Sequence, residues 1–204
     1  KNSVHKHMET LAVILASVIS AMGGIFAVFL KNKFDYKKKN SLELTAASGT
    51  NIYKALEYIQ SECSCARAYV FEFHNGEHFF SGRGQQKFSC TYEFVRPGVS
   101  AEAINSQGHR ISNYNGYIGN LVSEGKFAYS DVEKIPDNAF KSMLNRRGVQ
   151  AIYNVPIKTL NGKIIGILGV DFITKVEDFQ FGEHSSDPDK FMRRQARVIS
   201  GYLI

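Results

Sequence analysis

The pattern of apolar and polar residues divides the chain into an apolar N-terminal run, a helix-periodic stretch and a strand-rich remainder. From Leu11 to Leu30 (LAVILASVISAMGGIFAVFL) twenty residues carry no charge and nothing more polar than two serines. A helix of that length spans about 30 Å, the thickness of a bilayer's hydrocarbon core. A secretory leader would have a shorter apolar region, roughly 7–15 residues, before a small-residue cleavage site. Here the basic stretch KNKFDYKKK follows instead. The run therefore reads as one transmembrane helix rather than a leader or a buried soluble helix. Ala12, Ala16, Ser20 and Gly24 recur every fourth residue, a stripe of small side chains that lets such helices associate.

Ser41 to Glu62 follows the helical period, with Ile52, Leu56 and Ile59 on one stripe and a break predicted at Gly49-Thr50. Ala66–Phe73 (ARAYVFEF) and Phe88–Arg96 (FSCTYEFVR) read as strands, separated by the polar, glycine-rich stretch HNGEHFFSGRGQQ. A mixed region after Pro97-Gly98 holds a short helix near Tyr117–Ser123, a short strand at Phe127–Ser130 and a helix over Asp137–Arg147. Asp187-Pro188 opens a final helix, with Asp as N-cap and Pro at the first helical position. Its inward face is expected at Phe191, Gln195, Val198 or Ile199, and Tyr202.

The remainder centres on Gly148–Phe172, GVQAIYNVPIKTLNGKIIGILGVDF. Two Val/Ile/Leu-rich runs flank Leu160-Asn161-Gly162, and Asn-Gly is a strong hairpin-turn signal. Pro156 suits a strand end or edge. The run Lys163–Phe172 is almost wholly apolar, as a strand covered on both faces would be, and Gly166 and Gly169 within it admit a close approach. The order of elements predicts an α+β domain: an antiparallel sheet of five or six strands with N- and C-terminal helices packed together on one face.

Charge refines this division. The 204 residues carry a net charge of +6, with a pI near 9.2. Lys31, Lys33, Lys37, Lys38 and Lys39 lie directly after the apolar run, whereas only Lys1 and Lys6 precede it. That asymmetry argues for membrane lipids and against nucleic acid, and places the C-terminal bulk in the cytoplasm. The expected organisation is a short extracytoplasmic segment over 1–10, a single-pass helix over 11–30, a basic linker over 31–40 and one domain over 41–204. The first residue is Lys rather than Met, so native residues are expected before it. Three cysteines, Cys63, Cys65 and Cys90, make no disulfide framework.

The residues AIYNVPIKTLNGKIIGILGVDF, with ARAYVFEF before them and a terminal helix after them, resemble a GAF-type domain of the wider GAF/PAS sensory group. The resemblance covers about 41–204. It implies a small-molecule pocket between the sheet and the helical insert, and a role in sensing a ligand or in dimerisation. No kinase or cyclase output segment accompanies it.

Strand alternation then nominates a site. Tyr69, Phe71 and Phe73 share one face of the first strand; Phe88, Cys90, Tyr92 and Phe94 share one face of the second. These aromatic faces are assigned to the flanking helices. The opposite, polar face carries Glu72, His74, Ser89, Thr91 and Glu93, with Asp171 from the hairpin nearby, and is the expected ligand-binding surface. Buried carboxylates need an answering group: a cationic or hydroxyl-rich ligand, or Arg83, Lys87 or Arg110. His74 and His78 with Glu77 have ligand chemistry for zinc, but a third or fourth donor cannot be named, so no metal or other cofactor is assigned. The cysteines read as small buried hydrophobes rather than a redox trio. No nucleotide-binding or hydrolase motif is present. The expected function is a membrane-anchored, homo-oligomeric, ligand-sensing or protein-interaction module. The alternatives are a structural oligomerisation module of a membrane assembly, of a virus or a secretion system for instance, and a thiol-dependent reductase.

Overall fold

The computed structural model describes residue 15 and residues 17–31, 41–78, 81, 84–182 and 187–204. Residues 17–31 are helical, with apolar side chains such as Ile19, Met22, Ile25 and Phe26 exposed. Among the described residues no helix is long and apolar enough to cross a membrane. Of the expected 11–30 segment, residues 11–14 and 16 lie outside the described residues, as do 1–10, 32–40, Phe79, Phe80 and Arg83.

The main unit, Ser48–Ile204, is built on one antiparallel sheet. Its strands are β1 (Arg67–His78), β2 (Gly84–Val95), β3 (His109–Arg110), β4 (Phe127–Tyr129), β5 (Ala151–Lys158) and β6 (Ile164–Phe172). They lie in the order β3-β2-β1-β6-β5-β4. The nearly continuous apolar run is thus an interior strand, as its composition required, with β1 and β5 on either side. β4 pairs only with Ile152–Asn154, so Pro156 sits beyond the covered part of β5, where a missing N–H leaves no ladder bond unmade. In the β5–β6 turn only Gly162 takes a positive φ, 83°, while Asn161 does not. The connection is longer than a two-residue turn and closes through Thr159 N–H to the Lys163 carbonyl at 2.9 Å.

Helices α1 (Ser41–Cys63) and α4 (Pro188–Leu203) cover one face of the sheet. Ile52, Leu56 and Ile59 of α1 are fully buried there with Met192, Ala196 and Ile199 of α4. The break expected at Gly49-Thr50 does not occur, and α1 runs through it. Val198 and Tyr202 prove exposed, so the inward face of α4 is Phe191, Met192, Gln195, Ala196, Ile199 and Ser200. The other sheet face is covered by the insert, with α2 (Asn115–Glu124) and α3 (Asn138–Arg146). Asp137 caps α3, its carboxylate accepting from the Phe140 N–H at 3.0 Å.

The faces of β1 are the reverse of the expectation. Ala68 and Val70 pack under the terminal helices, while Tyr69 and Phe71 are buried against the insert, with Phe73 packed beside them. On β2 the simple alternation fails altogether. Val70 pairs with Tyr92 and Phe71 with Cys90, leaving Thr91 as the extra residue of a β-bulge. The bulge resets the phase, so Phe88 and Cys90 face the insert whereas Tyr92 and Phe94 face the terminal helices. One strand thereby serves both layers.

Candidate functional site

The sheet and the insert enclose a cavity whose floor is β1, β2, β5 and β6 and whose roof is α2, α3 and the 102–106 segment. Its volume is about 20 Å³, room for roughly one water molecule. Aromatic and apolar side chains fill most of the space. Tyr117 and Phe140 stack with ring centroids 3.8 Å apart, and Phe127 stands edge-on to both.

Polar groups enter this apolar setting along two lines. In the first, the Tyr69 hydroxyl donates to Asn154 Oδ1 at 3.0 Å, and Asn154 Nδ2 donates to the Tyr117 hydroxyl at 2.7 Å. Asn154 is 1% exposed, so its amide is satisfied by these two phenols rather than by solvent. Gly169 makes the arrangement possible: a Cβ there would collide with Asn154 Oδ1 and the Tyr69 ring. Burial pushes both phenols above the ordinary tyrosine value, so both stay protonated and able to donate.

The second line is ionic. Arg67 and Asp171 occupy directly paired positions of β1 and β6. Arg67 Nε donates to both carboxylate oxygens, at 3.1 and 2.9 Å, with the residues 1% and 5% exposed. The remaining guanidinium N–H groups donate to the Ser100 carbonyl at 2.9 Å and the Arg147 carbonyl at 3.2 Å. One side chain thus ties two strands to two segments of the insert. Burial pushes the Asp171 carboxyl up to about 6 despite the opposing pull of Arg67. Glu93 reaches the same cavity on the far side of the bulge, where its carboxylate accepts from the backbone N–H groups of Glu102 and Ala103 at 2.8 and 2.9 Å.

Of the six nominated residues, then, Glu93 and Asp171 line the cavity and four do not. Glu72 follows Val70 onto the terminal-helix side, close to Tyr92, whose phenol it helps to push up. Thr91 is the exposed bulge residue. His74 is exposed, and its Nε2 lies 2.9 Å from the Ser89 hydroxyl, which also accepts from the Gly108 N–H at 2.8 Å. That pair fastens the β2 edge to the chain leading into β3. The group answering Asp171 is Arg67; Lys87 and Arg110 instead stand opposite each other in the backbone register of β2 and β3, and Arg83 lies outside the described residues. Alternation did not single out Arg67, Tyr69, Tyr117 or Asn154 as polar lining. A signal existed for one pair: Arg67, at the start of the apolar stretch of β1, and Asp171, the one charge in β6, require each other if both are buried.

The cysteines are free and buried. Burial raises all three thiols, Cys65 and Cys90 to about 12 and Cys63 further. Among the described residues no group of three or more His, Cys, Asp or Glu is placed to hold a metal ion.

No protein-family model and no curated protein matches the sequence. Solved structures do resemble the fold. The blue-light-absorbing form of the PixJ GAF domain from Thermosynechococcus elongatus superimposes with a TM-score of 0.62 at 15% identity, over 79% of this chain and 88% of that one. The GAF domain region of a Geobacter sulfurreducens PCA protein gives 0.55 at 12% identity, over 80% and 97%. A far-red cyanobacteriochrome photoreceptor gives 0.55 at 14%, over 86% and 96%. The main unit therefore has the GAF-domain fold, and at these identities the likeness is one of architecture alone.

Proposed function

We propose that the chain is a sensory module with a GAF fold, anchored to a membrane by its N-terminal apolar run, that responds to a small polar ligand in the cleft between sheet and insert. The observation that carries this reading is the cleft's lining. Asp171, Glu93, Asn154 and two phenols are brought together in an otherwise apolar interior, where hydrogen bonds discriminate strongly between partners. The neighbouring folds include photoreceptor domains, which fits a sensory role. Ligand entry requires the roof to lift, because the present volume of about 20 Å³ holds little more than a water. Polar ties from roof to floor run through Arg67, Glu93, Asn154 and the Cys90 N–H to the Ser106 carbonyl, and opening must also part the aromatic packing around Tyr117 and Phe140.

The anchor is supported by the charge-free 11–30 sequence, the lysines after it and the exposed apolar side chains over 17–30. The orientation with the domain in the cytoplasm, and self-association along the small-residue stripe, belong to the same proposal. The direct test is a thermal-shift screen of the detergent-solubilised full chain against small polar metabolites. A compound that raises the melting temperature of the wild type but not of Asn154→Leu supports the reading; no such compound, with the chain recovered in the soluble fraction after lysis, overturns it.

A second reading, a structural oligomerisation module, is favoured by the same small cavity volume. It expects an assembly of defined copy number without any bound small molecule.

A further inference from the structure

Outside the enclosed cavity a second, more open cleft of about 310 Å³ lies between the 102–114 segment and the C-terminal end of α3. Glu102, Asn105, His109, Tyr114, Arg146 and Arg147 stand in its walls. Consecutive helical residues diverge by about 100°, so two adjacent arginines on α3 would not share a cleft. They do here because Arg147 is the C-cap, with φ −95° and ψ 5° outside the helical range.

The charges in this cleft do not balance. Two guanidinium groups face one carboxylate, and that carboxylate already accepts from Asn105 Nδ2 at 3.2 Å and lies 3.8 Å from Arg147 Nε. Arg147 also donates through Nη2 to the Asn105 carbonyl at 3.2 Å, which holds it in place. Arg146 forms no ion pair with the described residues. A second observation is independent of the first. His109 Nε2 is a buried side-chain nitrogen with no hydrogen-bond partner among the described residues. The ring is held between Phe88 and Tyr114, with centroids 5.3 and 5.6 Å away, and its Nδ1 lies 3.5 Å from the Tyr114 hydroxyl. In the tautomer whose Nδ1 accepts from Tyr114, the ring proton sits on Nε2 and lacks an acceptor. Burial and the nearby Arg147 lower the His109 pKa, consistent with that neutral form.

We propose that this cleft binds a small oxyanion, the phosphate or carboxylate group of a metabolite, with Arg146 and Arg147 supplying charge and His109 a hydrogen bond. Planar guanidinium groups match both anions through paired N–H donors. Glu102 bounds the site on one side and disfavours an anion placed against it, which directs the ligand toward Arg146. The proposal does not depend on a ligand in the enclosed cavity.

The test is isothermal titration of the detergent-solubilised full chain with inorganic phosphate and, separately, with succinate. Wild type, Arg146→Gln and His109→Gln are compared. Saturable binding of either anion is expected, weakened at least tenfold in Arg146→Gln and measurably in His109→Gln; the anion that binds identifies the group recognised. Failure of both anions to saturate, or equal binding by wild type and Arg146→Gln, overturns the proposal. Arg146 is exposed, so its substitution leaves the fold intact, and if His109→Gln does not fold the Arg146→Gln series alone decides.

Discussion

Arg67 and Asp171 face each other across neighbouring strands, and one guanidinium nitrogen bonds both oxygens of a carboxylate that water hardly reaches. Removing one partner of such a pair strands the other charge in the interior. Arg67→Met, which strands the Asp171 carboxylate, should lower unfolding free energy at pH 8 by about 3–5 kcal/mol. The double substitution Arg67→Met/Asp171→Leu, which removes both charges, should recover most of that loss. Denaturant unfolding of the three proteins checks this, and a double variant no more stable than the single one would show that the tethers to Ser100 and Arg147 dominate instead.

The same pair sets a pH dependence. Burial outweighs the attraction of Arg67 and raises the Asp171 carboxyl from 3.8 to about 6. Across that window the native chain binds the proton more tightly than the unfolded chain. Stability from this group is therefore fully present below the unfolded value and is lost as pH rises through about 6. The stability of wild type minus that of Asp171→Asn should fall by up to about 1.4 kcal/mol per pH unit over the window and level off above it. A difference that rises with pH would mean that the ion pair, not burial, controls the group.

Two glycines should respond oppositely to alanine. At Gly169 an added methyl group meets Asn154 Oδ1 and the Tyr69 ring, so Gly169→Ala should lose about 3 kcal/mol through overpacking and a broken hydrogen-bond chain. Gly119 is exposed on α2 with nothing near its missing Cβ. Gly119→Ala should gain up to about 1 kcal/mol from helix propensity. Thermal melts of both variants decide the point.

Burial and the raised pKa values of Cys63, Cys65 and Cys90 leave little thiolate in the native protein. Alkylation at pH 8 should be slow until denaturant is added, and replacing Cys63 and Cys65, which lie away from the cavity, with Ala should leave ligand binding unchanged. Rapid native labelling of any one of the three would reopen a thiol-based chemistry.

The fold was legible where hydrophobic pattern and geometry agree. Lys163–Phe172 reads as a strand covered on both faces, and it lies in the interior of the sheet between β1 and β5. Ile52, Leu56 and Ile59 likewise marked the buried stripe of α1. The site was less legible because side-chain phase on β2 depends on Thr91, a bulge residue with no distinctive sequence. Reading straight alternation through it kept Phe88 and Cys90 on the face of Tyr92 and Phe94, whereas they face the insert. Glu72, Thr91 and His74, polar in sequence, lie away from the cavity, whereas Tyr69 and Tyr117 look like core and carry its hydrogen bonds. Arg67 was the recoverable omission: a single cation in ARAYVFEF matches the single carboxylate in ILGVDF.

On the proposed function, the cleft above Asn154 and Asp171 accommodates a small molecule in a membrane-borne oligomer. Native mass spectrometry of the full chain, released from detergent micelles, tests this most directly. The expected spectrum shows a discrete copy number with a non-covalent mass excess that disappears on unfolding and is absent from Asn154→Leu. A spectrum of bare protein, unchanged by that substitution, would contradict it.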